Sequence, residues 1–306
     1  MARIGKGKEH FQLVYHGRKP ACVRVAAQLP LVAGGIADYL LAMKRFIPFL
    51  PKPAFVPVIR LQGTIASGGR ALNDAALAPL IERAFAKGKP AAVAFIINSP
   101  GGSPAQSSLI AARIRRLADE TGVPVHAFVE DVAASGGYWL ACAADDIWVD
   151  QTSIVGSIGV IFASFGFPDL MARQGIERRV VTAGKSKSFA DPFLPQKPED
   201  IDRLRALQAP LHASFIDHVK TRRGARLDAN ADLFNADIWV GQGAVDVGLV
   251  DGVAHVVPKL RELYGEKVRL VPFGQRRSLA QRFGLTLTDA VIGGVEERAL
   301  WARYGL

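Results

Sequence analysis

The chain has 306 residues, 49% hydrophobic and 22% charged, with two cysteines, Cys22 and Cys142. That balance excludes a largely disordered chain, a collagen-like chain and a polytopic membrane protein, and two thiols cannot build a disulfide framework or a four-cysteine zinc site. The net charge of +10 is uneven, with +8 in residues 1–60 and +3 in residues 261–306 around a nearly neutral body, which does not suit a domain that reads nucleic acid.

In chain order, residues 1–24 are polar and basic and lack the apolar run of a secretory signal. Residues 25–50 are apolar but interrupted by Asp38, Lys44 and Arg45, and their longest uncharged piece, residues 25–37, is too short to span a bilayer. Leu40, Leu41, Phe46 and Phe49 beside Lys44, Arg45 and Lys52 have the composition of an interfacial segment for an anionic membrane surface; the alternatives are contact with nucleic acid or an acidic partner, or simply a solvated tail. Residues 1–53 are therefore expected to be a basic, partly apolar arm, with the catalytic domain at 54–272 and a basic tail at 273–306, helical from Leu287.

Residues 54–61 (AFVPVIRL) predict a strand, and Asn73 predicts the cap of a helix through residue 87 with Gly88 as its stop. Residues 91–98 (AAVAFIIN) form a wholly apolar strand, as a parallel sheet covered on both faces requires. Pro100-Gly101-Gly102-Ser103-Pro104 breaks the chain before a helix to about residue 121. A strand over 124–129, a short helix over 133–143 and strands over 146–149, 159–163 and 178–182 follow. The uncharged stretch 151–168, rich in Ser and Gly, reads as buried strand and loop. A long helix spans 198–223, and residues 237–250 read strand, helix, turn. The alternation predicts an α/β fold of repeated strand–helix units around a mostly parallel sheet.

Nucleophilic catalysis needs a nucleophile, a base and donors for an oxyanion, and three segments can supply them. Asn98-Ser99-Pro100-Gly101-Gly102-Ser103 can turn backbone N–H groups towards a ligand, or can be only a tight turn. Ser135, in Ala134-Ser135-Gly136-Gly137-Tyr138, sits where a helix N-terminus offers free N–H groups, or is only an N-cap. Lys185 and Lys187 lie among small and aromatic residues, where a shielded amine can act as a neutral base; the alternative is an exposed loop with solvated lysines. His126, mid-strand, reads as a packed histidine, and no HExxH-type metal spacing occurs.

Together these segments resemble the signal peptide peptidase A type of serine peptidase, family S49, relatives of the ClpP/crotonase fold. The residues that carry the resemblance are N-S-P-G-G-S at 98–103, A-S-G-G-Y at 134–138, G-S-I-G-V at 156–160, K-S-x-x-x-P-F at 187–193 and W-V-G-Q-x-A-x-x-x-G-L-V-D at 239–251. The resemblance implies Ser135 as nucleophile, Lys187 as general base with Lys185 as the competing choice, Gly102 and Gly136 as oxyanion donors, and Ser157 as the hydroxyl that orients the lysine. It implies no metal or organic cofactor.

The expected activity is a Ser-Lys endopeptidase that cleaves remnant signal peptides or other extended hydrophobic peptides through an acyl-enzyme. A crotonase-type acyl-CoA enzyme and a non-catalytic scaffold on a peptidase fold are the alternatives. Many members carry a clean membrane anchor or signal, and some are double-length, whereas this chain has neither a clear anchor nor a second copy of the unit. A homo-oligomer with sites shared between subunits is therefore expected. So is peripheral membrane contact through the arm, no nucleic acid, and a location in the cytoplasm or at the inner face of the bacterial membrane.

Overall fold

The computed structural model describes residues 53–68, 71–184, 187–274 and 298–306. The N-terminal arm, Cys22, Lys185 and most of the tail predicted to be helical lie outside the described residues.

The frame is an eight-stranded, mostly parallel sheet. Its strands are β1 (Phe55–Gln62), β2 (Val93–Ser99), β3 (Val125–Ala134), β4 (Asp146–Val149), β5 (Ile154–Gly156), β6 (Ile238–Val240), β7 (Gly252–Val253) and β8 (Arg269–Phe273). The order is β6-β5-β3-β2-β1-β8, with β4 pairing β3 and β7, and only β5–β6 is antiparallel. The helices are α1 (Asp74–Ala86), α2 (Pro104–Thr121), α3 (Gly136–Ala141), α4 (Pro168–Arg173), α5 (Pro198–Arg223), α6 (Gln242–Asp246) and α7 (Val256–Tyr264).

Side chains alternate across the sheet, as strand geometry demands. Ile59, Leu61, Phe95, Ile97, Val125 and Ala127 enter the larger core. That core also receives Leu77, Ile81 and Phe85 of α1 and Ile110, Ala111 and Ile114 of α2, positions that recur at helical spacing. Val56, Ala94 and Phe128 point to the other face, where Leu260 of α7 packs. His126 is packed as expected: its Nδ1 lies 2.7 Å from Asp146 and its Nε2 lies 2.6 Å from the Tyr264 hydroxyl. An ionised carboxylate can only accept, so the His126 Nδ1–H donates to Asp146.

β3 is longer than the sequence suggests. Its first half pairs β4 and its second half pairs β5, with a register shift against β2 between Ile97 and Ser99. Asn98 bridges the irregularity: its side-chain oxygen accepts from the Val132 N–H at 3.3 Å and its amide donates to Asp131. The strand thus continues to Ala134, and the short helix expected over 133–143 contracts to α3, leaving Ser135 as the single junction residue.

Two predicted strands are absent. Residues 159–163 and 178–182 form no strand, and residues 161–167 and 176–183 are exposed. Their composition favours extended backbone, but a strand needs a neighbouring edge for its N–H and C=O groups. The adjacent β5 is already paired on both sides, to β3 and β6.

Candidate active site

β3 ends in a strained turn. Ser135 has φ 52° and ψ −121°, outside the usual range of a residue with a side chain, and α3 begins at the next residue. Its own N–H donates to the Gly156 carbonyl at 2.9 Å. Although it occupies the N-cap position of α3, its hydroxyl makes no capping hydrogen bond. The N-cap explanation of this serine is thereby removed, and a half-buried hydroxyl is left at the mouth of a helix.

The Pro100–Ser103 loop lies directly against this turn. A methyl group built on Gly101 would fall 2.8 Å from the Gly136 nitrogen and from the Ser135 Cβ, so only glycine allows the approach. On Gly102, at φ 141°, it would fall 2.1 Å from the Ile65 carbonyl oxygen. Ile65 holds the loop on both sides of Gly102: its N–H donates to Gly101 at 2.9 Å and its carbonyl accepts from Ser103 at 2.7 Å. The Gly102 N–H is left without an acceptor among the described residues. Gly136, first residue of α3, has no intrahelical acceptor for its N–H either. A hydroxyl and two backbone donors on touching segments form the kind of arrangement that stabilises an acyl-transfer oxyanion.

Ser157 follows β5 on the other side of Ser135. It is 7% exposed and also has φ 52°. Its N–H donates to the Asp237 carbonyl at 2.7 Å, and the ring of Trp239 packs over the preceding Gly156. The structure therefore brings together Gly102, Ser135, Gly136 and the turn that carries Ser157.

Lys187 is not joined to them. It is exposed at the start of a turn, with its N–H donating to the Gly184 carbonyl at 3.2 Å. The shielded surroundings expected for this lysine are not found among the described residues. Its segment is unlike the rest of the body: Ile161 is 67% exposed, Phe165 81% exposed, and Val181 fully so. A cleft of about 320 Å³ opens there between Phe162, Phe165, Ser188, Pro192 and Leu194.

A larger cleft, about 620 Å³, contains none of the predicted site residues. Its carboxylates are engaged: Glu130 with Arg60, Asp131 with Asn98, and Asp150 with Thr152 and His255. No cluster of side chains suited to a metal ion occurs among the described residues.

Sequence reasoning missed the supports of the site. α5 lies across it with two imidazoles: His212 Nε2 lies 3.0 Å from the Ile158 carbonyl and His218 Nε2 lies 3.0 Å from the Trp139 carbonyl of α3. His218 also stacks on the Trp139 ring at 4.8 Å. Burial holds the His218 pKa below its ordinary value, the bond to the Trp139 carbonyl works against that shift, and the nearby Arg222 charge adds to it. The W-V-G-Q to G-L-V-D segment also proves to be support. Asp251 accepts from the Ile147 N–H at 2.7 Å and pairs with buried Arg223, and the fully buried Tyr138 donates its hydroxyl to the Leu249 carbonyl at 2.6 Å. A histidine between exposed helix residues carries no sequence signal of what its ring will reach.

The local geometry is a strained serine between a parallel strand and a short helix, backed by a glycine loop, in an α/β fold. Comparison with known proteins places a match on this region. Residues 118–265, just under half of the chain, match peptidase family S49, a span that includes Ser135, Ser157 and Lys187. It is 48% identical over 286 residues to the Na(+)/H(+) antiporter NhaA of Brucella melitensis, covering 86% of this chain and 39% of that protein. It is 30% identical over 197 residues to the chloroplastic serine protease SPPA of Arabidopsis thaliana, covering 64% of this chain and 29% of that protein. A solved structure of the 1510-N membrane-bound stomatin-specific protease aligns with a TM-score of 0.47 and 15% identity, covering 74% of this chain and all of that one. The chain thus spans well under half the length of these two sequence relatives. Among the described residues no helix is long and apolar enough to cross a membrane.

Proposed function

We propose that this protein is a serine endopeptidase with a Ser-Lys dyad. The observation that carries the reading is Ser135: a strained, uncapped serine whose hydroxyl lies beside segments offering the free N–H groups of Gly102 and Gly136. Strain of this kind costs about 1–3 kcal/mol and persists where the surroundings enforce it for a purpose. A crotonase-type enzyme needs no such nucleophile, and a scaffold needs neither the strain nor the open donors.

In the proposed reaction the Ser135 oxygen attacks the scissile carbonyl carbon while its proton passes to the neutral amine of Lys187. The Gly102 and Gly136 N–H groups stabilise the resulting oxyanion. Collapse of the tetrahedral intermediate breaks the C–N bond, and the leaving amine takes the proton from Lys187. Water then attacks the acyl-enzyme with Lys187 again as base, freeing Ser135. Ser157 orients the amine. Substrates are remnant signal peptides or other extended hydrophobic peptides; the exposed apolar side chains of Ile161, Phe165 and Val181 support this preference.

Lys187 acts across a subunit boundary. Its exposure, together with that of Ile161, Phe165 and Val181, supports a homo-oligomer in which a second copy covers this segment and completes the site. The basic arm makes peripheral contact with an anionic membrane, at the inner face of the bacterial envelope or from the cytoplasm.

The test is hydrolysis of a fluorogenic hydrophobic peptide by the wild type, Ser135→Ala, Lys187→Ala and Lys185→Ala. The first two substitutions abolish turnover and the third leaves most of it. Near wild-type turnover by Ser135→Ala would end the reading, and a greater loss in Lys185→Ala than in Lys187→Ala would reassign the base.

A further inference from the structure

Two serines of the site, Ser135 and Ser157, both hold φ 52°. Such backbone is kept only where its surroundings over-determine it, and the bonds responsible can be traced. The Gly156 carbonyl accepts from the Ser135 N–H at 2.9 Å. The Ser157 N–H donates to Asp237 at 2.7 Å, and the Ser157 carbonyl accepts from Gly159 at 2.9 Å. The next carbonyl, that of buried Ile158, meets His212 Nε2 at 3.0 Å. His212 is the one side chain among these partners, and it comes from α5, remote in sequence.

We infer that His212 is a positioning residue: by donating Nε2–H to the Ile158 carbonyl it fixes the 156–158 turn, and through the Gly156–Ser135 bond it fixes the nucleophile. The inference rests on the peptidase reading for its catalytic consequence, and on the backbone bonds alone for its structural one. The imidazole donates from Nε2 whether neutral or protonated, so the role needs no particular charge. Glutamine offers an amide N–H from a side chain of similar reach, and alanine offers none.

The test compares His212→Ala and His212→Gln by hydrogen–deuterium exchange and by steady-state kinetics with a fluorogenic peptide. In His212→Ala, peptides covering residues 134–138 and 156–159 exchange faster while those of α1 and α2 are unchanged. At the same time kcat falls about tenfold, the order of one lost hydrogen bond, with little change in KM. His212→Gln restores both. Unchanged exchange in His212→Ala, or a kcat loss that glutamine fails to rescue, would overturn the inference. If the wild type shows no Ser135-dependent hydrolysis, the peptidase reading falls, and the exchange result still decides whether His212 holds the turn.

Discussion

At the scale of single residues, the site depends on backbone that side chains ordinarily avoid. Gly102→Ala forces a methyl group onto the Ile65 carbonyl and a side chain into φ 141°, so it should lower stability by about 1–3 kcal/mol. Activity should fall further than stability if the displaced N–H is the proposed oxyanion donor; urea unfolding and peptide hydrolysis measured on the same preparation check this. His218 gives a pH effect of known sign. Its folded pKa is depressed, chiefly by burial, so between that value and the ordinary one near 6.5 the unfolded chain binds more protons. The stabilisation is complete above about pH 6.5 and is lost as pH falls through the folded pKa. Urea unfolding from pH 7.5 to 5 should show this loss in the wild type and less of it in His218→Gln, which cannot titrate. Parallel slopes in the two proteins would remove His218 as the cause.

Among the elements, α5 and the 239–251 segment hold the Ser135 turn and α3 from outside. Arg223 is 3% exposed and pairs with Asp251 at 2.6 Å, and its Nε donates to the Gly248 carbonyl at 3.0 Å. Burial opposes the charge of Asp251, but the Arg223 guanidinium, the Ile147 N–H and the Arg226 charge together more than offset it and hold the carboxyl below its usual range. Arg223→Ala takes from the half-buried Asp251 carboxylate its buried partner, leaving it Arg226 at 3.0 Å, and should cost about 1–3 kcal/mol, read as a lower urea midpoint. A cost below 1 kcal/mol would show that the pair is dispensable. The strands and helices that carry the glycine loop and Ser135 were legible in the sequence because their signals are local: apolar runs, Asn73 as a cap, Pro104 opening α2. Residues 159–163 and 178–182 misled because strand propensity does not say whether a free edge exists. The contacts from His212 and His218 were invisible because they join residues 54 and 79 positions apart.

For the whole molecule, the single chain gathers Ser135, Gly102, Gly136 and the Ser157 turn, the proposed nucleophile, oxyanion donors and orienting serine, and leaves the proposed base exposed on an apolar segment. The proposed self-association would answer both features. Ser135→Ala and Lys187→Ala subunits, each inactive alone, should regain part of the activity when mixed under conditions that permit exchange, because some mixed interfaces combine an intact serine with an intact lysine. A fully active monomer by light scattering would exclude a shared site. The central claim, that Ser135 is the nucleophile, is tested most directly by intact-protein and peptide mass spectrometry after treatment with a fluorophosphonate. The account predicts a single phosphonyl adduct on Ser135, lost together with peptide hydrolysis in Ser135→Ala. An adduct on another residue, accompanied by undiminished hydrolysis in Ser135→Ala, would contradict it.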